Sequence, residues 1–255
     1  MSLLSTKNLS IEIADKQICN SLTIEFMPGQ CWGILGRNGV GKTTLLHTLS
    51  LLKKDYNGDI FLKEKNIQSY KRASIARLIG IQLQHNEDPF PSSVLDTVLT
   101  GRHPYLSNWQ WESEADIEKA QAALETVEMK ELSQRLVNHL SGGERQRVSL
   151  ATLMTQNPEI FLLDEPNSHL DMNYQIGLLK YFSSYAYSDQ RLVIMTLHDI
   201  NLAARFCSHL LLLTGEGGYL AGSAEEILTT DNLQQTFSHP VEAIKSADRT
   251  IYLPA

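Results

Sequence analysis

Gly36-Arg37-Asn38-Gly39-Val40-Gly41-Lys42-Thr43 decides how the rest of this chain reads. The stretch has the form G-x-x-x-x-G-K-[ST], with an extra glycine at Gly39 and with Thr44 continuing it. Glycines belong where the backbone turns tightly and aims its N–H groups inward at a polyphosphate. Lys42 adds a point charge for the β- and γ-phosphates, and the Thr43 hydroxyl can sit on Mg²⁺. Before the loop, Cys31-Trp32-Gly33-Ile34-Leu35 reads as a buried strand. After it, Thr44-Leu45-Leu46-His47-Thr48-Leu49 reads as the start of a helix. Strand, loop and helix in that order place a triphosphate on a helix N-terminus. The plainer alternative is a glycine turn that happens to precede a lysine.

Outward from the loop, 255 residues are enough for one large domain or two small ones with a proper core. Hydrophobic residues make up 42% and charged residues 20%, as in ordinary soluble globular chains. The net charge of −7 argues against a nucleic-acid partner, because such domains carry a basic face. No run of 18 apolar residues is present to cross a membrane, and no signal peptide is expected at the N-terminus. Cys19, Cys31 and Cys207 have no metal-like or disulfide-like spacing, which suits a reducing compartment.

Ile11-Glu12-Ile13 and Leu22-Thr23-Ile24-Glu25-Phe26 alternate as half-buried strands do, and Ile60-Phe61-Leu62 is a short strand after a turn. Leu78 to Gln84 reads as a strand that emerges into a polar loop. There His85, Glu87 and Asp88 are taken as solvated residues rather than a metal site. The middle of the chain turns helical. Ser113 to Asp116 forms a capping box, and Ile117, Ala120, Leu124 and Val127 follow at helical spacing. Ser141-Gly142-Gly143-Glu144 is either a second capping box or an anion site made of a hydroxyl and two glycine N–H groups.

Ile160-Phe161-Leu162-Leu163 is a continuous apolar strand that ends in Asp164-Glu165. Two carboxylates at the end of a buried strand are costly unless they bind something, although a solvated strand end would also carry them. Asp164 suits Mg²⁺, directly or through water, and Glu165 suits a general base acting on water. Leu192 to Leu197 is a second buried strand and ends in His198-Asp199. His198 is either structural or a contact to the γ-phosphate. Leu210 to Leu213 is a last core strand, and the tail from Ser223 is expected to be helix and irregular chain without chemistry.

Taken together, these motifs resemble the ATP-binding-cassette (ABC) ATPase family over nearly the whole chain. Residues 36–43 are similar to Walker A, Gln84 to the Q-loop glutamine (with Gln82 as the other register), and residues 140–144 to the family signature. Residues 160–165 resemble Walker B with its catalytic glutamate, Ser168-His169-Leu170-Asp171 the D-loop, and His198 the switch histidine. A finer similarity, through Gln84-His85, Phe90-Pro91 and Gly101-Arg102-His103-Pro104, is to ATPase subunits of importers for ferric siderophores, haem and vitamin B12. The aromatic residue that usually stacks on adenine is replaced by Ile13, and Asn167 and His169 depart from the family near the D-loop.

The resemblance implies an α/β P-loop NTPase core (about 1–86 and 156–255) with a small antiparallel β subdomain and an inserted α-helical subdomain (about 87–155). It implies ATP and Mg²⁺ as cofactors, with Thr43, Asp164 and Gln84 around the metal. Residues 36–44 would bind ATP, and Glu165, His198 and Gln84 would take the catalytic roles. It also implies a head-to-tail homodimer in which Ser141, Gly142 and Gly143 of one chain close over ATP held by the other. That dimer would drive an integral-membrane permease, with a substrate-binding protein in the complete system and no nucleic acid. The chain would lie peripherally on the cytoplasmic side of the inner membrane. The aromatic stretch around Tyr105, Trp109 and Trp111 is either a candidate docking surface for the permease or a part of the core. Rival readings are a soluble ABC-type ATPase of repair or translation, and a degenerate cassette that binds nucleotide without turnover. Such soluble clamps carry a coiled-coil insertion or a second cassette. Intact Lys42, Glu165 and His198 weigh against the degenerate form.

Overall fold

The computed structural model describes all residues except 84–90, 108, 169 and 247–248, together with the side chains of 246 and 249. The chain opens with β1 (Leu4–Ile13), β2 (Lys16–Phe26), β3 (Cys31–Gly36) and α1 (Lys42–Leu49), then β4 (Asn57–Leu62), β5 (Lys65–Asn66), α2 (Arg72–Leu78) and β6 (Ile79–Gln82). A helical stretch follows, with α3 (Val94–Leu99), α4 (Glu114–Thr126) and α5 (Gly142–Gln156). The chain returns to the sheet through β7 (Ile160–Leu163), α6 (Met172–Ser188), β8 (Leu192–Thr196), α7 (Ile200–Phe206), β9 (His209–Gly215) and β10 (Gly218–Ser223). It closes with α8 (Ala224–Ile227), α9 (Thr230–Phe237), β11 (Val241–Ser246) and β12 (Arg249–Pro254).

Two sheets organise these elements. The larger has the order β10-β9-β3-β8-β7-β6, and every pair from β9 to β6 is parallel. Parallel strands bury both faces under crossover connections, so they read as unbroken apolar runs. Accordingly, all residues of β3, β7 and β8 are buried. One face of this sheet packs Ile34, Leu162, Ile194 and Leu211 against α1 and against the smaller antiparallel sheet, whose order is β2-β1-β4-β5. The other face packs Leu35, Phe161, Leu163, Met195 and Leu212 against α3 to α7. The core is therefore a sheet between two layers.

The helices inserted between β6 and β7 are tied together by a nearly buried ion pair. Arg102 Nε lies 2.7 Å from Asp116 Oδ1, and Arg102 Nη1 donates to the Thr155 carbonyl at 3.1 Å. Asp116 also accepts from Ser113 in the capping box that opens α4. The Ser113 hydrogen bonds, and then Arg102, bring the Asp116 carboxyl down to about 2. The Arg102 guanidinium stacks on the Tyr105 ring, 4.0 Å from its centroid.

Several sequence expectations change here. Tyr105 is half-buried under Arg102 and does not join Trp109 and Trp111, which are 99% and 86% exposed. Leu78 ends α2 rather than starting β6, because the backbone switches from helical to extended at Ile79. Residues 218–223 form an edge strand whose uniformly half-buried positions show no alternation. The tail adds a hairpin, β11 with β12, docked through reciprocal bonds between the Asn201 side chain and the Tyr252 backbone.

Candidate nucleotide-binding site

The glycine loop leaves the C-terminal end of β3 and α1 begins at Lys42. Gly41 caps the helix with φ 117°, a region open to glycine, and a Cβ there would lie 2.5 Å from Ile18 Cγ2. Gly39 also has positive φ, at 70°, and its carbonyl accepts from Lys16 Nζ. Lys42 is buried and donates to the Gly36 and Arg37 carbonyls at 2.9 and 3.3 Å. Burial lowers its pKa, and the nearby Glu165 and Asp164 carboxylates oppose that shift. Asn38, Gly39, Gly41, Lys42, Thr43, Thr44, Glu165 and His198 line one cleft of about 470 Å³. Gly36, Arg37 and Val40 complete the loop, but Val40 packs its side chain into the core and the exposed Arg37 reaches toward Gly215. None of the three lines the cleft, and the Gly36 and Arg37 carbonyls instead hold the Lys42 ammonium.

Because β8 lies between β3 and β7, the ends of all three strands meet. Asp164 is wholly buried, and its Oδ1 accepts from Thr43 Oγ1 at 3.1 Å and from Thr196 Oγ1 at 2.8 Å. Its Oδ2 is buried without a hydrogen-bond partner. A carboxylate oxygen in that state is expensive, and it becomes cheap when a divalent cation, with its water, supplies the missing charge. The Thr43 hydroxyl beside it completes a hard oxygen donor set, so these residues fit Mg²⁺.

Glu165 adopts φ 48°, unusual for a non-glycine residue, and this kink turns its side chain off the line of β7 toward the cleft. Its N–H donates to Thr196 Oγ1 at 2.8 Å, and Ser168 closes the turn by donating N–H and Oγ to the Glu165 carbonyl. Glu165 Oε1 lies 2.6 Å from His198 Nε2. Thr196 thus holds the Asp164 carboxylate and the Glu165 backbone, and no sequence motif marks it. Its one signal was a hydroxyl at the end of an otherwise apolar strand, just before His198.

Ser141, Gly142 and Gly143 do not reach this cleft within one chain. The capping box is real: Ser141 Oγ accepts from Glu144 N at 3.3 Å, and Glu144 Oε2 accepts from Ser141 N at 2.7 Å. Ser141 and Gly142 are exposed beyond it. Gln84 and His169, with His85, Glu87 and Asp88, lie outside the described residues. Ile13 is half-buried at the end of β1 and packs on the core beneath the loop. Tyr56 lines a separate groove with Tyr70 and Ile75.

A parallel sheet with a glycine loop after a central strand and a carboxylate pair after a neighbouring one is the core of a P-loop nucleoside triphosphatase. The family model described as ABC transporter matches residues 19–168, and the chain belongs to that family. It is 38% identical over 236 residues to the petrobactin import ATP-binding protein of Bacillus anthracis, covering 92% of this chain and 86% of that one. It is 34% identical over 244 residues to the iron(3+)-hydroxamate import ATP-binding protein of Bacillus subtilis (strain 168), covering 96% and 91%. A solved structure described as a metal-chelate type ABC transporter in an inward-facing conformation superimposes with a TM-score of 0.85 at 29% identity, over 99% of this chain and 97% of that one. Among the described residues, no helix is long and apolar enough to cross a membrane.

Proposed function

We propose that this chain is the ATP-hydrolysing subunit of an importer for ferric siderophores or a related metal chelate. It would act as a pair of chains beneath a membrane permease, peripheral to the cytoplasmic face. The catalytic half of this reading rests on the 2.6 Å approach of His198 to Glu165 at the mouth of the phosphate-loop cleft. The cargo rests on the import relatives described above.

The backbone of residues 36–43 would cradle the phosphates while Lys42 neutralises the β- and γ-groups. Mg²⁺, when bound, would supply charge neutralisation at the phosphates, and Thr43 and Asp164 would hold it with Gln84. Glu165 Oε1 would accept the proton of the attacking water, and His198 would fix that carboxylate and the γ-phosphate together. Thr196 holds the Asp164 carboxylate and the Glu165 backbone together. Ser141 and Gly142 are exposed and outside the cleft of their own chain, which favours their use by a second copy. Closure of such a pair positions the reacting groups and supplies motion to the permease. The exposed Trp109 and Trp111 are the candidate surface that meets it.

The test is uptake of radio-iron carried by hydroxamate and catecholate siderophores in a strain lacking the chain. Uptake should return with wild type and not with Glu165→Gln. Normal uptake without the chain would overturn the assigned cargo.

A further inference from the structure

Beside the cleft, His47 sits one turn along α1 from Thr43, so the two side chains share a face of the helix. Helical side chains lean toward the N-terminus, which carries the imidazole back toward the level of Thr43 and its partner Asp164. Among the described residues, two buried polar atoms on this side of the sheet have no hydrogen-bond partner: His47 Nε2 and Asp164 Oδ2. The imidazole also feels that carboxylate. Burial lowers the His47 pKa, the Asp164 charge opposes the shift, and Lys53 adds to it. Burial therefore favours the neutral ring, in which one nitrogen accepts and the other donates. An unsatisfied buried nitrogen is costly, and such groups are kept where they serve a site or hold an ordered water.

We propose that His47 is a positioning residue of the metal site, joined to Asp164 Oδ2 through one buried water. That link would fix the rotation of a carboxylate whose other oxygen is already held by Thr43 and Thr196. Partners that orient a metal-holding carboxylate typically affect metal affinity about tenfold or more when removed. His47 touches neither nucleotide nor metal in this account, and it acts only through Asp164. The inference rests on reading Asp164 as the Mg²⁺ residue.

Full-length protein is titrated calorimetrically with a non-hydrolysable ATP analogue, in EDTA and across a Mg²⁺ series. Wild type should bind more tightly as Mg²⁺ rises. His47→Phe keeps a ring and deletes both nitrogens. It should retain its EDTA affinity within about twofold while needing about tenfold more Mg²⁺ for half of the affinity gain. His47→Gln, which can still reach a water, should return to near the wild-type Mg²⁺ requirement. His47→Leu should match His47→Phe and serves if the phenylalanine variant does not fold. An unchanged Mg²⁺ requirement in either apolar variant would overturn the proposal. So would a parallel loss of EDTA affinity, or failure of the glutamine to rescue. If wild type gains nothing from Mg²⁺, the metal role of Asp164 falls and this inference falls with it.

Discussion

Thr196→Val tests whether one hydroxyl fixes both the Asp164 carboxylate and the backbone turn that aims Glu165. The substitution keeps the branched shape inside a fully buried strand and removes a single oxygen. That oxygen donates to Asp164 Oδ1 at 2.8 Å and accepts from Glu165 N at 2.8 Å. A hydrogen bond to a charged group is worth about 1.5–3 kcal/mol and a neutral one about 0.5–1.5. The second bond comes from the backbone N–H of half-buried Glu165, so water can partly replace it. The expected net loss is about 2–3 kcal/mol of stability. At roughly 2–4 °C per kcal/mol for a chain of this size, the melting temperature should fall by about 4–12 °C. Turnover should fall more steeply, by about tenfold to a hundredfold, because a carboxylate displaced by an ångström no longer meets its reactants. Scanning calorimetry in EDTA reads the first effect and steady-state ATP hydrolysis the second. Thr196→Ser, which keeps the hydroxyl, should recover most of the turnover. A valine variant melting within about 2 °C of wild type and turning over within about twofold would refute the assignment.

Glu165→Gln should abolish steady-state hydrolysis while leaving ATP binding intact, since the amide cannot take a proton from water. Retained turnover within about threefold of wild type would remove Glu165 as the general base. Ser141→Arg should block turnover without weakening nucleotide binding by dilute protein, because the hydroxyl lies outside the cleft of its own chain. Affinity falling in parallel with activity would place Ser141 in its own site. With half-buried Ile13 in place of an aromatic ring, GTP should compete with ATP within about tenfold, since stacking on a base is worth roughly 1–3 kcal/mol where it exists. Ile13→Tyr should tighten ATP more than free triphosphate. Strong ATP preference in wild type with no change on substitution would refute that view.

Much of this site was legible because its chemistry is local in sequence. Residues 36–43 form a cradle from consecutive backbone groups, and a buried parallel strand leaves an unbroken apolar run that ends abruptly where polar residues reach the ligand edge. Asp164-Glu165 and His198 stood out for that reason, as did the capping boxes at Ser113 and Ser141, whose partners lie three residues away. Strand order has no such local record. Thr43 and Asp164 are 121 positions apart, and Asp164 and Thr196 are 32 apart, yet one carboxylate oxygen accepts from both hydroxyls. Only the placement of β8 between β3 and β7 turns a threonine in an apolar strand into a clamp on the Asp164 carboxylate and the Glu165 backbone. The same holds for His47, whose interest comes from a buried nitrogen near Asp164 rather than from any motif. The tail hairpin and β10 escaped because half-exposed edges carry no strict alternation for a sequence to display. Local pattern sufficed to name the candidate residues, since backbone turns and buried runs constrain composition position by position. Which of them meet follows from the fold, because contacts between distant strands depend on sheet order, which no local pattern encodes.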